Sequence, residues 1–467
     1  MIGKSPAMLF ESPMKKIALV CLIALLAGCA TQTPPPPPPD SIPGKRHTTQ
    51  ELLAYQPGDF RWTMTEKAAE AAMRAREIAQ LRARLALPPG EAADAELPAI
   101  LGAVMLFNTE IDAARGPTLA ALPGLASRPA EHQRAVLAAA HLLYADEAAP
   151  LLWPLLPQLA NPREFAAAAY TVLKAQKTGD VPSRIQVAMV ERFPGWATEP
   201  RLRALDYALR ADRMTMRPPP LADLLAAPLR PGYPAVFSVQ SPGREFMGLA
   251  LLRGADGRFV READGRLFQV PQLARALSNL PGTLTLGNTP QGLFTVRGAS
   301  TAENPWIGPT PFLETKLPIE GQVAEFEHAA STAGTDIWDE ALYDSFLPAS
   351  WQHWEPIKEA WLAGRAGRDE ILMHGTVVNP AYYAGASYAP GTPSAGCLVA
   401  SETWDAATGR LVHSDQLRLA QAFARATQSA DPMARGYLMV VELPGEPRPV
   451  TAAELEAAVR EADSRRP

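Results

Sequence analysis

The composition of the chain changes sharply near residue 230. From about residue 60 to 229 the sequence is rich in Ala and Leu, carries apolar residues at helical spacing and is interrupted by prolines. From Ala235 onward, apolar and polar residues alternate. Spacings of three and four residues indicate helices, and alternation indicates strands. We therefore expect a multidomain protein, with an α-helical N-terminal domain over residues 58–230 and a mainly-β domain over residues 231–446.

Two signals mark helix starts in the first half. The run Asn-Pro-Arg-Glu at 161–164 combines an N-cap residue, a first-turn proline and an acid, and its helix should end near Gly179. Thr63 and Glu66 have the spacing of a capping box before a long helix that ends near Leu87. Helical pairs of this kind can stack as an α-solenoid, although no clean repeat is present. This domain shows no chemistry, which leaves a binding or spacer role, for example toward an envelope protein.

The second half carries strand and turn signals. Residues 235–239 alternate as a strand, and the turn residues at 253–258 and at Asp264-Gly265 predict hairpins. The other expected elements are a short helix at 273–280 and strands at 283–286 and 293–296. Residues 447–467 are expected to form a C-terminal helix or tail, because Thr451 and Glu454 have the spacing of a capping box.

Residues 299–367 are interpreted as an insertion or lid. They contain five of the nine tryptophans, Trp306, Trp338, Trp351, Trp354 and Trp361. The last three share one face of a helix if the segment is helical. Aromatic residues at that spacing usually belong to a core, and the alternative is a wall over an active site.

The N-terminus carries targeting signals. Lys15 and Lys16 precede a short apolar run that ends Leu-Ala-Gly-Cys at 26–29. This ending resembles the lipobox of bacterial lipoproteins, which implies a signal peptide over residues 1–28, lipidation of Cys29 and a membrane anchor. Ala30 after the cysteine implies a periplasmic protein at the outer membrane. Residues 29–57, with six consecutive prolines, are expected to form an extended tether.

The residue counts exclude several function classes. The net charge of −5 without a basic patch argues against a nucleic-acid partner. Three cysteines, two of them within the first 29 residues, do not make a disulfide framework. His, Asp and Glu are scattered without metal-ligand spacing, and no phosphate-binding or dinucleotide motif is present. We expect no metal and no cofactor.

Residues 371–399 hold the candidate chemistry. An apolar run ends at His374, a loop rich in Gly, Pro and Tyr follows, and Cys397 lies among small residues. A lone Cys is most often a small buried hydrophobe, and a lone His is usually structural. If the fold brings the two together, His374 can deprotonate Cys397 for nucleophilic attack. A catalytic Cys397 should react with iodoacetamide near neutral pH far faster than a buried structural cysteine.

Three segments in order resemble the L,D-transpeptidases, whose catalytic domain is of the YkuD type. His-Gly-Thr at 374–376 and Ser-Ala-Gly-Cys at 394–397 resemble the active-site signature, and residues 287–296 resemble the strand with T-P-x-G-x-F. The strand pattern at 437–443 follows in the right place. The resemblance covers roughly residues 235–444. It implies an enzyme that attacks a diaminopimelate carbonyl in a peptidoglycan stem peptide, expels D-Ala and passes the acyl group from a thioester to an amine.

The resemblance also implies residue roles. Cys397 would be the nucleophile, His374 its base and Gly375 the carbonyl that orients the imidazole. Backbone N–H groups near Gly396 and Cys397 would form the oxyanion hole, which Ser394 would help to shape. The residues that would contact substrate are Thr289, Pro290, Thr376, Tyr382 and Tyr383.

Three departures from the family pattern keep alternatives open. Ala395 replaces a second histidine, Val399 replaces a common arginine, which weakens the case for binding a substrate carboxylate, and the loop from His374 to Cys397 is longer than usual. A runner-up base is His413, which Ser414 and Asp415 follow. The alternatives are a hydrolase of the same fold that cuts peptidoglycan amides, and a catalytically degenerate scaffold that binds peptidoglycan.

Overall fold

The structure is a computed structural model that describes residues 44–176, 179–211, 217–302, 304, 306–329, 337–376, 378–383, 392–428 and 432–465. The predicted signal peptide, Cys29 and the proline run lie outside these residues.

Helices dominate the first half of the described chain, and shorter ones recur in the second half. They are α1 (Thr49–Ala54), α2 (Lys67–Leu85), α3 (Glu91–Phe107), α4 (Ile111–Ala121), α5 (Ala130–Leu143), α6 (Ala145–Leu152), α7 (Pro162–Ala175), α8 (Val181–Arg192), α9 (Pro200–Ala211), α10 (Leu221–Leu225), α11 (Val323–Phe326), α12 (Glu340–Ser345), α13 (Glu359–Arg365), α14 (Asp415–Ala426) and α15 (Ala452–Ser464).

Helices α2 to α9 build the helical domain around a core of Leu and Ala side chains. The N-cap at Asn161 is confirmed, because its side-chain oxygen accepts a hydrogen bond from the Arg163 N–H at 3.0 Å. The capping box at Thr63 and Glu66 is wrong. Residues Thr63–Thr65 form a short 3₁₀ turn, and Glu66 precedes α2 without a side-chain cap.

The strands lie mostly in the second half. They are β1 (Arg46–His47), β2 (Ala235–Gln240), β3 (Gly248–Arg253), β4 (Gln269–Leu273), β5 (Gly292–Ser300), β6 (Phe312–Lys316), β7 (Leu372–Gly375), β8 (Leu398–Ala400), β9 (Glu402–Trp404), β10 (Leu411–Ser414) and β11 (Gly436–Glu442).

Eight strands form a sheet that closes on itself. Their order is β5-β11-β2-β3-β4-β8-β7-β6, and β6 pairs again with β5. The pairs β11–β2 and β7–β8 are parallel, and the other pairs in this closed sheet are antiparallel. The layout of a helical domain followed by a β-rich domain, as the sequence predicted, is confirmed.

Both faces of the closed sheet are covered. All six residues of β2 are buried, and alternate side chains enter two different clusters. Val236 packs in the cluster that includes α14, whereas Phe237 packs with α10, α12, α13 and α15. The sheet is therefore covered by helices on both of its faces, an arrangement in which strands are buried on both sides.

The predicted tether is too long at its C-terminal end. Residues Arg46–His47 pair with β5, and α1 packs against α14. Phe60 and Trp62 are buried with Trp404 and Leu411. The segment from Gly44 to Trp62 therefore belongs to the β-rich domain, although it precedes the helical domain in sequence.

The predicted insertion at 299–367 is an integral part of the β-rich domain. It contains β6, which closes the sheet between β5 and β7. Trp351 and Trp361 are buried and Trp354 packs against the same cluster, so the core interpretation is confirmed for these three; Trp338 also packs there. They do not share one helix, since α13 contains only Trp361.

Local predictions succeeded at turns and failed in one loop. The hairpins at 253–258 and 264–265 are confirmed by the bridges Arg253–Phe259 and Arg261–Leu267. The capping box at Thr451 is also confirmed, and α15 buries one side against α10. The helix at 273–280 and the strand at 283–286 are wrong. Residues 274–291 form an irregular loop, here called the 274–291 loop.

The 274–291 loop joins the two domains. Its Leu280 and Leu284 belong to the core of the helical domain. Thr285 accepts a hydrogen bond from Arg163 at 3.1 Å. A second contact lies at α9, where Arg203 forms ion pairs with Glu340 and Glu355. The helical domain is thus packed directly on the β-rich domain.

Candidate active site

The sheet brings His374 and Cys397 to one face. Strands β7 and β8 are neighbouring parallel strands, with His374 opposite Val399. Side chains two residues apart on a strand point to the same side, so Cys397, just before β8, faces the same side as Val399 and His374. Both side chains line one cavity. The structure therefore brings the two candidate residues together.

The His374 ring is held in one orientation. Its Nδ1 lies 2.8 Å from the Gly375 carbonyl oxygen, which can only accept a hydrogen bond. Nδ1 therefore carries the proton, and in the neutral ring the lone pair is on Nε2. Burial lowers the pKa of His374 to about 4, so the imidazole is neutral at physiological pH.

The Cys397 thiol is protonated at rest. Its Sγ donates weakly to the Glu370 carbonyl oxygen at 3.7 Å. Burial raises its pKa to about 11, although a hydrogen bond from the Leu372 backbone and the charge of Arg368 pull the pKa down. The site at rest therefore holds a protonated thiol and a neutral imidazole in the same cavity, and nucleophilic attack by the thiol would require loss of its proton.

This resting state reverses the expectation for iodoacetamide. A pKa of about 11 instead of 9.0 lowers the thiolate fraction at pH 7 about 100-fold. We expect Cys397 to be alkylated about 100-fold more slowly than an unperturbed cysteine, and the rate to rise about tenfold per pH unit up to about pH 11. Mass spectrometry of the labelling time course, with a free cysteine peptide as reference, measures this. Fast labelling that is independent of pH between 6 and 8 would indicate a preformed thiolate and contradict the prediction.

Gly396 is confined by its surroundings. Its φ is +125°, and a Cβ there would lie 2.5 Å from both Arg368 Nη2 and the Gly287 carbonyl oxygen. Its N–H donates to Ser394 Oγ at 3.0 Å, and its carbonyl oxygen accepts from Thr289 Oγ1 at 2.8 Å. The Gly396 N–H is therefore engaged, which corrects its expected role in an oxyanion hole and leaves the Cys397 N–H as the other predicted donor.

Ser394 and Thr289 shape the turn that carries the thiol. Ser394 Oγ, which accepts from Gly396, also donates to the Cys397 carbonyl oxygen at 2.9 Å. Ser394 lines the cavity as well. Thr289 is buried behind Gly396, and it is therefore placed to position the turn and not to touch a ligand.

None of the five predicted substrate-binding residues lines the cavity over the thiol. Thr376 is buried and accepts from the Glu402 N–H at 3.0 Å. Tyr382 donates to the Thr65 carbonyl oxygen at 2.8 Å, and Tyr383 hydrogen-bonds Glu70. Pro290 is buried. These residues support the site from outside it.

The alternative base His413 lies elsewhere. Its side chain is 53% exposed on β10 and pairs with Asp415 at 3.2 Å. It does not line the cavity that contains Cys397. The geometry favours His374.

Arg368 was not predicted from the sequence, and it packs against the turn of residues 394–397 that carries Cys397, here called the thiol turn. Its guanidinium donates to three backbone carbonyl oxygens of the 274–291 loop, those of Gly282, Gly287 at 3.0 Å and Asn288 at 2.7 Å. Burial lowers its pKa to about 10, so it stays charged at neutral pH. Glu359 holds the same loop through its amides, accepting from Gly282 at 2.7 Å and Gln291 at 2.9 Å. Only contacts distant in sequence reveal these two residues.

Glu402 supports the strand end that carries the base. A Cβ on Gly375 would lie 2.1–2.4 Å from the Glu402 carboxyl group. Ser414 Oγ donates to its Oε1 at 2.6 Å. Burial raises the pKa of Glu402 to about 8, so the carboxyl group is largely protonated at neutral pH. Gly375 is required here because no side chain fits between the strand and this group.

The raised pKa of Glu402 predicts a pH-dependent stability effect. A carboxyl group whose pKa is higher in the folded state favours folding most below its unfolded pKa, near 4.5, and that advantage is lost as pH rises through about 8. At pH 9 the buried carboxylate is ionised, and Glu402→Gln removes the cost of burying that charge. We expect this variant to raise Tm relative to wild type at pH 9, by about 2–4 °C for each kcal/mol of that cost, and to change Tm much less at pH 4. Thermal unfolding at both values tests this. The surface variant Glu91→Gln should show no such difference, and an equal effect of Glu402→Gln at both pH values would contradict the prediction.

The cavity over the thiol lies between the two domains. It has a volume of about 130 Å³, and its floor includes His374, Ser394 and Cys397. Helix α3 contributes Gly102, Met105 and Leu106 to its wall. These positions are spaced by three and four residues, so they form one helix face.

A second helix and a tryptophan also line the cavity. Helix α5 contributes Glu131, Arg134, Ala135 and Ala138, which also share one face. Trp306 lines the cavity from the segment that precedes β6. The helical domain, for which the sequence predicted no chemistry, therefore forms part of the candidate active site.

Comparisons with known proteins do not identify a family: no protein-family model matches the chain, and neither a curated protein nor a solved structure shows significant similarity to it. Among the residues that the structure describes, no helix combines the length and apolar character needed to cross a membrane. Over the same part of the chain, no group of three or more His, Cys, Asp or Glu residues could hold a metal ion.

Proposed function

We propose that the chain is a cell-envelope cysteine acyltransferase that acts on peptidoglycan stem peptides through a thioester on Cys397. The observation that carries the proposal is a pair of side chains that line one cavity, the thiol of Cys397 just before β8 and the neutral imidazole of His374 on β7, whose Nδ1 proton is donated to the Gly375 carbonyl oxygen. The resemblance of residues 235–444 to L,D-transpeptidases supplies the substrate class and a YkuD-type domain.

The proposed reaction has two balanced halves. His374 Nε2 takes the thiol proton as Cys397 Sγ bonds to the donor carbonyl carbon, and the tetrahedral oxyanion is met by the Cys397 N–H. The C–N bond to D-Ala then breaks, and His374 returns the proton to the leaving amine. In the second half, an acceptor amine attacks the thioester carbonyl carbon and gives a proton to His374. The C–S bond then breaks as the new C–N bond is completed, and His374 returns that proton to the Cys397 sulfur.

The remaining proposals rest on the N-terminal sequence. Cys29 would carry lipid, and the proline run would hold the protein off the membrane, with the enzyme in the periplasm at the outer membrane. The tether would end at or before Gly44, because β1 begins at Arg46. Soluble protein for experiments should therefore begin before Gly44 and retain Arg46 to Trp62.

Reaction with a defined muropeptide tests the function. The donor is a tetrapeptide that ends in diaminopimelate–D-Ala, and glycinamide serves as acceptor amine. Transpeptidation releases D-Ala and joins the acceptor to the peptide, whereas a hydrolase releases D-Ala and leaves a free carboxylate. A scaffold sediments with peptidoglycan and releases no D-Ala, which would overturn the proposal. Cys397→Ala is the matched control for each readout.

A further inference from the structure

The polar side chains that line the cavity over the thiol are bonded within the protein. Ser278 Oγ donates to the Leu286 carbonyl oxygen at 2.7 Å, and Asn304 Oδ1 accepts from the Trp306 N–H at 2.9 Å. Ser394 Oγ makes the two hydrogen bonds of the thiol turn. The lining therefore offers a ligand little polar chemistry beyond the reactive thiol and imidazole.

The two charged side chains of the lining do not change this character. Glu131 is exposed to solvent, and Arg134 has an interaction partner within the protein. Further along the same face of α5 the lining is Ala135 and Ala138. A charged ligand group in this cavity would lose its hydration without gaining an ionic partner, which is costly.

Apolar side chains from both domains make up most of the lining. Met105 and Leu106 come from α3, Leu277 and Leu286 from the 274–291 loop, and Trp306 from the segment before β6. Leu106, Leu277 and Trp306 pack in one cluster. Leu277, Leu286 and Trp306 are only partly buried, so they retain apolar surface that a ligand can cover.

The size of the cavity limits the ligand. Its volume is about 130 Å³. A protein cavity of about 150 Å³ with aliphatic and aromatic walls stays dry and takes up benzene, so the cavity here has room for an apolar group of about six carbon atoms. Cys397 and His374 line the same cavity, and a group bound there can present a carbonyl carbon to the thiol.

We propose that the cavity binds the chain of an aliphatic acyl group of about six carbons, and that esters or thioesters of such acids are a second class of donor for Cys397. The acylation step rests on the proposed function, whereas binding of the chain does not. Cys397 Sγ bonds to the acyl carbonyl carbon as His374 takes the thiol proton. The donor's C–O or C–S bond then breaks, and the proton passes to the leaving alcohol or thiol.

The second half of this reaction returns the thiol. An amine or water attacks the thioester carbonyl carbon and gives a proton to His374. The bond from the carbonyl carbon to Sγ breaks, and His374 returns the proton to the Cys397 sulfur. The products are an aliphatic amide or acid and the free enzyme.

Acylation by 4-nitrophenyl esters tests the proposal. The acetyl, butyryl, hexanoyl and decanoyl esters and the mono-ester of adipic acid are compared, and each rate constant is divided by that for a free cysteine peptide. We expect the normalised rate constant to rise up to about fourfold for each added methylene to about six carbons and then to level off. The adipic ester, whose chain ends in a carboxylate, should react at least about tenfold more slowly than the hexanoyl ester.

Substitutions in the cavity provide a second readout. Ala135→Leu and Ala138→Leu narrow the cavity from α5, and each should lower the ratio of the hexanoyl to the acetyl rate constant at least about fivefold. This ratio does not depend on how much of the protein is folded. Ala113→Leu changes an exposed position on α4 and should leave the ratio unchanged. A ratio near one in the wild-type protein, or an equal ratio in all four proteins, would overturn the proposal.

Binding without chemistry separates this inference from the proposed function. Ligand-detected NMR with the Cys397→Ala protein should show hexanamide binding at least about tenfold more tightly than acetamide. If it does, but no ester acylates the wild-type protein, the apolar site stands and the acylating Cys397 of the proposed function fails. If the muropeptide releases D-Ala while hexanamide and acetamide bind alike and the esters react alike, the proposed function stands and the apolar site is overturned.

Discussion

Replacing His374 with alanine should lower the rate constant for acylation of Cys397 about 10³-fold at pH 7. The thiol has a pKa of about 11, and without a base only a minute thiolate fraction can attack. The loss should shrink as pH rises toward 10, because the thiol then ionises without help. Time-resolved intact-mass measurement of acyl-enzyme formation gives both rates.

The alternative histidine provides the control for this experiment. His413→Ala changes an exposed side chain outside the cavity and should keep the wild-type rate. A loss in His413→Ala equal to that in His374→Ala, or a His374→Ala rate within threefold of wild type at pH 7, would contradict the assigned base. In the wild-type protein the acylation rate should decrease as pH falls through about 4. Burial holds the pKa of His374 near that value, and a protonated His374 cannot accept the thiol proton.

Replacing Gly396 with alanine should slow acylation strongly and destabilise the β-rich domain. The new Cβ would lie 2.5 Å from Arg368 Nη2 and from the Gly287 carbonyl oxygen, at a φ of +125°. Either the thiol turn or the 274–291 loop must move, so we expect at least about a 100-fold loss of rate, since misplacement by about 1 Å is enough for that. Acylation rates and thermal unfolding measure the two effects.

Gly265→Ala separates backbone strain from steric conflict. Gly265 also has a positive φ, +82°, but no atom lies within 4 Å of an added Cβ. This variant should lose about 1–3 kcal/mol of stability from strain alone and keep its acylation rate. If Gly396→Ala were acylated as fast as Gly265→Ala, the close packing of Arg368 against the thiol turn would not matter for catalysis.

The sequence predicted features that depend on neighbouring residues. The cap at Asn161, the hairpins near 256 and 265 and the box at Thr451 each depend on a few adjacent side chains. Convergence of His374 with Cys397 was also foreseeable, because an apolar run ends at His374 and another ordered segment begins at Cys397. The loop between them is long enough for the connection that parallel strands require.

Features that depend on distant contacts could not be predicted. The 274–291 loop looked like a helix and a strand, but Arg368 and Glu359 hold it in an irregular path from about 80 residues away. Strand β6 was hidden in a presumed insertion, because its pairing with β5 and β7 is not visible in local pattern. The contribution of α3 and α5 to the lining of the cavity is likewise not visible in the local sequence pattern.

Intact-protein mass spectrometry with a carbapenem tests the central claim most directly. The β-lactam carbonyl imitates the acyl donor, and ring opening by Cys397 leaves a covalent adduct on the soluble chain that begins before Gly44. The account predicts one stable adduct in wild type, none in Cys397→Ala and a much slower one in His374→Ala. An unmodified wild-type protein, or an adduct that persists in Cys397→Ala, would contradict an acylating active site at Cys397.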